Sequence, residues 1–406
     1  MNFGAILAIL GLVALAAVLV SMALRKGPDN ASQHGHNHGD DPGHNHGDDG
    51  CGCGHEEGNA ADLKADPTEF HAVHHGKDTR GGCKFDPAEE KRARFLPKPK
   101  IDVSNLPAPD KRIVAAHQGV TIAGITEHLN ILSGEVSSVI RGKTVTIKSR
   151  NSYSKDLELA LAYVEDYYKS LGIPVKRVPY QVRGKTYYNI EAEILGTVDP
   201  KKVVIVSGHL DSTVGNPWTV ENVAPGADDD ASGTVGVMEV ARALKDHKLG
   251  YTIRFVHFTG EEQGLYGSYK YSDQCAAAKT DIVGVFQMDM IGYCGKPGNR
   301  VDIHDGEDRN GSHDLVVALV RAAAQYKLDL NVVDTHNHAV DNRSDHAGFQ
   351  DHGWKAVLIS IEFTDDGFDP NYHTRGDRVS ALNLPYMVEI IRMTIAAASD
   401  YAKIQN

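Results

Sequence analysis

The chain has 406 residues, with 54 acidic against 42 basic side chains and a formal charge of −12. No basic stripe is available to neutralise phosphates, which excludes a nucleic-acid partner. The five cysteines form neither a disulfide framework nor a thiolate-rich zinc module: Cys51, Cys53 and Cys83 lie in the polar first third, and only Cys275 and Cys294 could pair in the globular part, which sequence does not decide.

The first element is an uncharged apolar stretch over residues 4–24 (GAILAILGLVALAAVLVSMAL). About 20 apolar residues span a bilayer, whereas a signal-peptide core runs to about 7–15, so residues 1–27 read as a transmembrane anchor. The alternative is a secretory signal cleaved after Ala23, since Ser21-Met22-Ala23 has a small-x-small pattern. Arg25 and Lys26 follow the stretch, and by the positive-inside rule they alone would face the rest of the chain to the cytoplasm.

Residues 28–110 are too rich in Gly, His and Asp to bury a core, and they read as a disordered linker. Within them His36-Asn37-His38-Gly39-Asp40-Asp41 recurs at 44–49, and Cys51-Gly52-Cys53-Gly54-His55 follows. His34, His36, His38, His44, His46, Cys51, Cys53 and His55 thus form a candidate accessory metal tail, set against a plain polar linker. Pro97, Pro99, Pro107 and Pro109 discourage regular structure up to residue 110.

Residues 111–406 then fit one α/β domain of about 290 residues. A helix is predicted over 156–171, where Leu157, Leu161, Val164 and Tyr168 share one face, and it stops at Gly172 ahead of Pro174. Short apolar runs follow at 203–206 (VVIV), 253–258 (IRFVHF), 282–288 (IVGVFQM) and 356–361 (AVLISI), with helix-like stretches at 233–247 and 314–326. This alternation predicts a mostly parallel (mixed) central sheet flanked by helices on both faces.

Hard ligand types follow each run. His209 comes after the first, Glu261 and Glu262 after the second, Asp289 after the third, and Glu362 and then His373 after the fourth. Sites in open α/β sheets form beyond the carboxyl ends of the strands, so four runs deliver these residues to one edge. Taken singly, each has a plain explanation. His209 could be a satisfied strand-end histidine; Asp228-Asp229-Asp230, in a Gly/Pro-bounded loop before a helix, could supply an N-cap, although capping needs one aspartate and not three. An EE pair is usually a solvated surface, but Glu261-Glu262 closely follows an apolar strand, where one carboxylate could bind metal while the other moves a proton. Asp289 ends an apolar run, where an unpaired carboxylate is costly. Carboxylates mixed with imidazoles and no thiolate suit a catalytic zinc or manganese site.

The motifs GHLDS, PGADDDASG, TGEEQG, QMDMIG and YHT, in this order, resemble the M28 family of zinc peptidases, and within it the secreted bacterial aminopeptidases of leucyl type. The likeness covers roughly residues 125–402. It implies two zinc ions, one held by His209 and Asp289, the other by Glu262 and His373, with Asp228 bridging. It further implies Glu261 as general base, Asp211 as the partner of His209, and a cis peptide between Asp228 and Asp229. Ser344-Asp345-His346 is family-like, but a cysteine pair that some relatives carry upstream is missing, and Gly306 stands where some place a tyrosine. The implied activity is removal of N-terminal residues from peptides by a monomeric, extracytoplasmic domain. The alternatives are a carboxypeptidase or dipeptidase using Arg343 or Arg375 on a substrate carboxylate, a glutaminyl cyclase-like enzyme needing one zinc, and a non-catalytic binding ectodomain.

Overall fold

The computed structural model describes residues 100–335, 340–364 and 366–405. The apolar stretch at 4–24 and the accessory metal tail from His34 to His55 lie outside the described residues. Among those described, no helix is long and apolar enough to cross a membrane.

The folded part opens with helix α1 (Lys111–Gly119), which Asp110 caps by accepting from the Arg112 N–H, and α2 (Ile122–Leu132). A small antiparallel pair, β1 (Ser138–Ile140) and β2 (Lys143–Val145), precedes α3 (Leu157–Ser170). Leu157, Leu161, Val164 and Tyr168 are all buried on α3, as their spacing predicts, and Gly172 follows with φ of 72°. Next come β3 (Val175–Val182) and β4 (Lys185–Ile194), a hairpin that the apolar runs do not announce. Its turn is Arg183-Gly184, both at positive φ, the geometry of a tight two-residue hairpin turn made here without the usual Asn-Gly.

The rest alternates. β5 (Asp199–His209), α4 (Gly233–Leu244), β6 (Tyr251–Phe258), α5 (Tyr266–Ala277) and β7 (Asp281–Met288) lead to β8 (Arg300–His304), α6 (His313–Gln325) and β9 (Asn331–Thr335). α7 (His346–Asp351), β10 (Ala356–Ser360) and α8 (Leu384–Tyr401) complete the chain. The eight large-sheet strands lie in the order β3-β4-β6-β5-β7-β10-β8-β9. β6, β5, β7 and β10 run parallel, while β4 on one side and β8 on the other are antiparallel to them.

Both faces of the sheet are covered, which is why the central strands read as unbroken apolar runs. Val204 and Val206 of β5 pack into the larger core with α4 and α8, whereas Val203 and Ile205 point to a second core with Tyr271 and Cys275 of α5 and Phe349 of α7. Each such side chain contributes roughly 1.5–3 kcal/mol by leaving water. Cys275 and Cys294 are both free thiols. The functional consequence is directional: β5, β6, β7 and β10 all end at the same sheet edge, with His209, Glu261, Asp289 and Glu362 at or just beyond their last residues.

Candidate metal centre

At that edge two imidazoles face one carboxylate. His209 Nε2 lies 3.1 Å from Asp229 Oδ1, and His373 Nε2 lies 3.0 Å from Asp229 Oδ2. Around His209 stand Asp289 Oδ1 at 3.5 Å and Glu261 Oε2 at 3.9 Å. Beside His373 stands Glu262 Oε2 at 3.0 Å. Two overlapping clusters of possible donors result, His209 with Glu261 and Asp289, and His209 with Asp229 and Glu262, and within each the polar atoms lie within 4.8 Å of one another. His373 adopts φ of 53° and stacks on Tyr372 at 3.7 Å, which aims its Nε2 inward.

The shared carboxylate is Asp229, and this corrects the assignment of Asp228. Asp228 turns the other way: its Oδ1 accepts the Gly292 N–H at 2.6 Å and the Tyr293 N–H at 3.2 Å. The cis peptide joins Asp229 to Asp230, not Asp228 to Asp229. The path of the loop decides which side chain reaches the histidines. Gly226 enters it at φ of 49°, where a Cβ would come within 2.1 Å of Asp229 O, so only glycine fits. Asp377 then holds the turn from behind, its two oxygens accepting the N–H groups of Asp228 (2.7 Å) and Asp229 (3.0 Å). Asp230 ties the turn to the sheet by accepting from His209 N, Gly233 N and Met290 N. Nothing in the sequence marks Asp377 or gives Asp230 a role of its own. An acidic residue in a Gly-rich loop carries no signal of what backbone it will cap.

The electrostatics ask for a cation. Burial, then the Asp229 charge, pushes Glu262 up to about 7, and Glu262 Oε1 is buried without a hydrogen-bond partner. Burial, opposed by His209 and reinforced by Asp289, holds Glu261 well above the ordinary carboxylate range. At His209 burial works against the charged ring, yet Asp289 and Glu261 outweigh it and raise the imidazole well above its usual value. A cluster that clings to protons in this way exchanges them for metal when one binds. Two imidazole nitrogens with the carboxylates of Asp229, Asp289 and Glu262, and no sulfur, fit zinc.

A family model of peptidase family M28 matches residues 189–398. The chain belongs to peptidase family M28. It is 39% identical over 129 residues to a "Probable zinc metalloprotease" of Pyrenophora teres f. teres, covering 32% of this chain and 26% of that protein. It is 33% identical over 209 residues to leucine aminopeptidase 1 of Metarhizium robertsii, covering 47% and 49%. The chain thus spans half or less of the length of these relatives. In fold it is similar to the Legionella pneumophila LapA aminopeptidase, with a TM-score of 0.60 and 18% identity, covering 85% of this chain and 89% of that one.

In this M28 chain the supporting contacts extend well behind the ligand types. The Asp211 carboxylate accepts the N–H groups of Glu261 (3.2 Å) and Glu262 (3.4 Å), which fixes the pair as a unit. Its contact to His209 Nδ1 runs through its main-chain oxygen at 3.2 Å; the carboxylate is farther, at 3.7 Å. Either way Nδ1 is occupied and Nε2 is left to face Asp229. Ser344 Oγ donates to Asp289 Oδ2 at 2.6 Å, giving the family-like serine a definite task. A pocket opens beside Glu261 and Asp289, with Met290, Val340, Leu358, Phe363 and Phe368 supplying its apolar wall and Arg343 one edge. Arg375 is exposed and not part of it.

Arg150 is the least expected support. It is completely buried and donates to the carbonyls of Leu132, Leu210, Pro225 and Gly226 at 2.6–2.8 Å, which pins the loop leading to Asp229. Arg150→Met should lower stability by about 3–5 kcal/mol, because four buried carbonyls lose their donor. Lysine should not rescue it, since one ammonium cannot reproduce the planar fork. Urea midpoints of the two variants check this; an unchanged midpoint would mean the loop finds other donors.

Proposed function

We propose that the chain is a co-catalytic di-zinc aminopeptidase that removes N-terminal residues from peptides. The observation that carries this reading is the placement of Asp229, whose two oxygens each face a different imidazole. His209 and Asp289 would hold one zinc, Glu262 and His373 the other, and Asp229 would bridge. The ions when bound supply Lewis acidity, polarising the scissile carbonyl and making a water acidic near neutrality.

The remaining work belongs to side chains. Glu261, its backbone fixed by Asp211, takes the proton of the attacking water at its carboxylate and later passes it to the leaving amine. The apolar wall at Leu358, Phe363 and Phe368 receives an N-terminal side chain and keeps bulk water out. The surplus of buried carboxylates favours the free α-amine of a substrate over its carboxyl end.

Arg343 at the pocket edge supports a second reading, a carboxypeptidase or dipeptidase that grips a substrate carboxylate. The zinc-loaded protein, assayed on free, N-acetylated and C-terminally amidated peptides with its zinc content measured alongside, separates the two. Aminopeptidase action predicts loss of hydrolysis on N-acetylation, tolerance of the amide, and two zinc ions per chain. Hydrolysis of N-acetylated peptides that disappears on amidation would overturn it in favour of the second reading, and a single bound zinc would overturn the paired-metal assignment.

A further inference from the structure

A second, open concavity lies against the Gly260–Gln263 turn and shares no lining residue with the pocket just described, and no step above uses it. Four separate segments build it, the loop before α3 bringing Ser152 and Tyr153. The β3–β4 hairpin brings Tyr180, Val182 and Tyr187, the loop after β5 brings Trp218, and Gly260, Gln263 and Tyr266 line it from the turn that carries Glu261 and Glu262. The aromatic surfaces are locked together: Tyr180 and Tyr187 stack at 5.8 Å, and Trp218 meets Tyr266 edge-on at 6.1 Å. Glu221 holds the Trp218 loop in place by accepting from Asn151, Thr213, Val214 and Asn216. Gly260, at φ of 74°, allows the Tyr180 hydroxyl to come within 2.8 Å of where a Cβ would sit.

Two observations give this groove an occupant. Gln263 is 5% exposed, and its Nε2 donates to Pro217 O at 2.9 Å, which fixes the amide orientation; its Oε1 is buried and accepts no hydrogen bond. A buried acceptor without a donor, on the residue that follows Glu262, asks for an N–H donor, and a peptide backbone carries one per residue. The rim is cationic, with the Arg183 guanidinium 4.6 Å over the Trp218 ring and Lys185 Nζ 5.9 Å from Tyr153. That charge complements the carboxylate at the far end of a short peptide.

We propose that this groove is the subsite for the departing part of the peptide, taking a large apolar or aromatic side chain from the first two residues after the scissile bond against Trp218 and Tyr187, with a backbone N–H donated to Gln263 Oε1. It rests on the peptidase reading and adds a second specificity determinant to it. The enzyme then selects on both sides of the bond, favouring short peptides with a bulky residue next to the one removed.

The test uses the zinc-loaded full chain and peptides sharing one accepted N-terminal residue, with Gly, Leu or Phe at each of the next two positions. The amide of the same N-terminal residue, which has nothing beyond the scissile bond, is the reference. Phe over Gly should raise kcat/KM about tenfold at one of the two positions, chiefly through KM. Trp218→Ala should bring that ratio close to one, and Tyr187→Ser, on a different element, should do the same if the first variant does not fold. Equal rates for Phe and Gly peptides in the wild type, or a ratio that survives both substitutions, would overturn the subsite while the peptidase reading stands on the amide. No hydrolysis of amide or peptides would remove the peptidase reading, and the subsite with it.

Discussion

Glu261→Gln should reduce turnover of unblocked peptides by about 10²–10⁴-fold, the usual worth of a positioned general base, while zinc content stays at the wild-type level. The geometry separates the two properties. Glu261 Oε2 is 3.9 Å from His209 Nε2, farther than Asp229 at 3.1 Å or Asp289 at 3.5 Å, so it stands beside the ligand set without closing it. Glutamine keeps the shape and the backbone contact of residue 261 to Asp211 but cannot accept a proton. Burial and neighbouring acids raise Glu261, and the amide loses that proton affinity altogether. Paired measurement of kcat and bound zinc decides the matter. A Glu261→Gln protein that still turned over at the wild-type rate would assign the proton transfer to another group.

Asp229→Asn and Asp228→Asn should behave in opposite ways, although the two residues are adjacent. At 229 an amide presents one oxygen where the structure places two, so one imidazole is left facing an NH₂ group. Zinc affinity should fall by more than the roughly 10–100-fold seen when only an outer-shell partner is lost, and hydrolysis should fall with it. At 228 the amide oxygen can still accept from Gly292 N and Tyr293 N. Burial and the Asp377 charge push the Asp228 carboxyl well above the usual range, so a neutral amide there removes little that the fold depends on. Zinc content and rate should therefore stay close to wild type. Zinc titration of both variants is the check: loss of metal in Asp228→Asn with retention in Asp229→Asn would restore the assignment that the loop geometry overturned.

That pair also marks where sequence stops being informative. Four apolar runs, each followed by an imidazole or carboxylate, were enough to read an α/β sheet with its chemistry at one edge, because burial on both faces leaves a continuous apolar signature and strand direction fixes which end carries the loop. Helix α3 was legible for the same reason, since its buried residues recur at three- and four-residue spacing. The β3–β4 hairpin was not. Its faces alternate less cleanly, and its Arg183-Gly184 turn lacks the residues that usually announce one.

Within the site, residue type was readable and direction was not. Three consecutive aspartates are equivalent in composition and differ only in where the backbone points them. Arg150, buried among four carbonyls some 60 to 76 positions away in sequence for three of them, looked like any other cation. Fold class, the sheet edge and the chemical kinds of side chain gathered there are legible in the chain, because these follow from periodicity and burial. That Asp229 and not Asp228 stands between the histidines, that Asp377 and Arg150 hold it there, and that a second groove lies against the glutamate turn emerge with the folded backbone. Those outcomes depend on backbone path and long-range hydrogen bonds, which leave no local pattern in the chain.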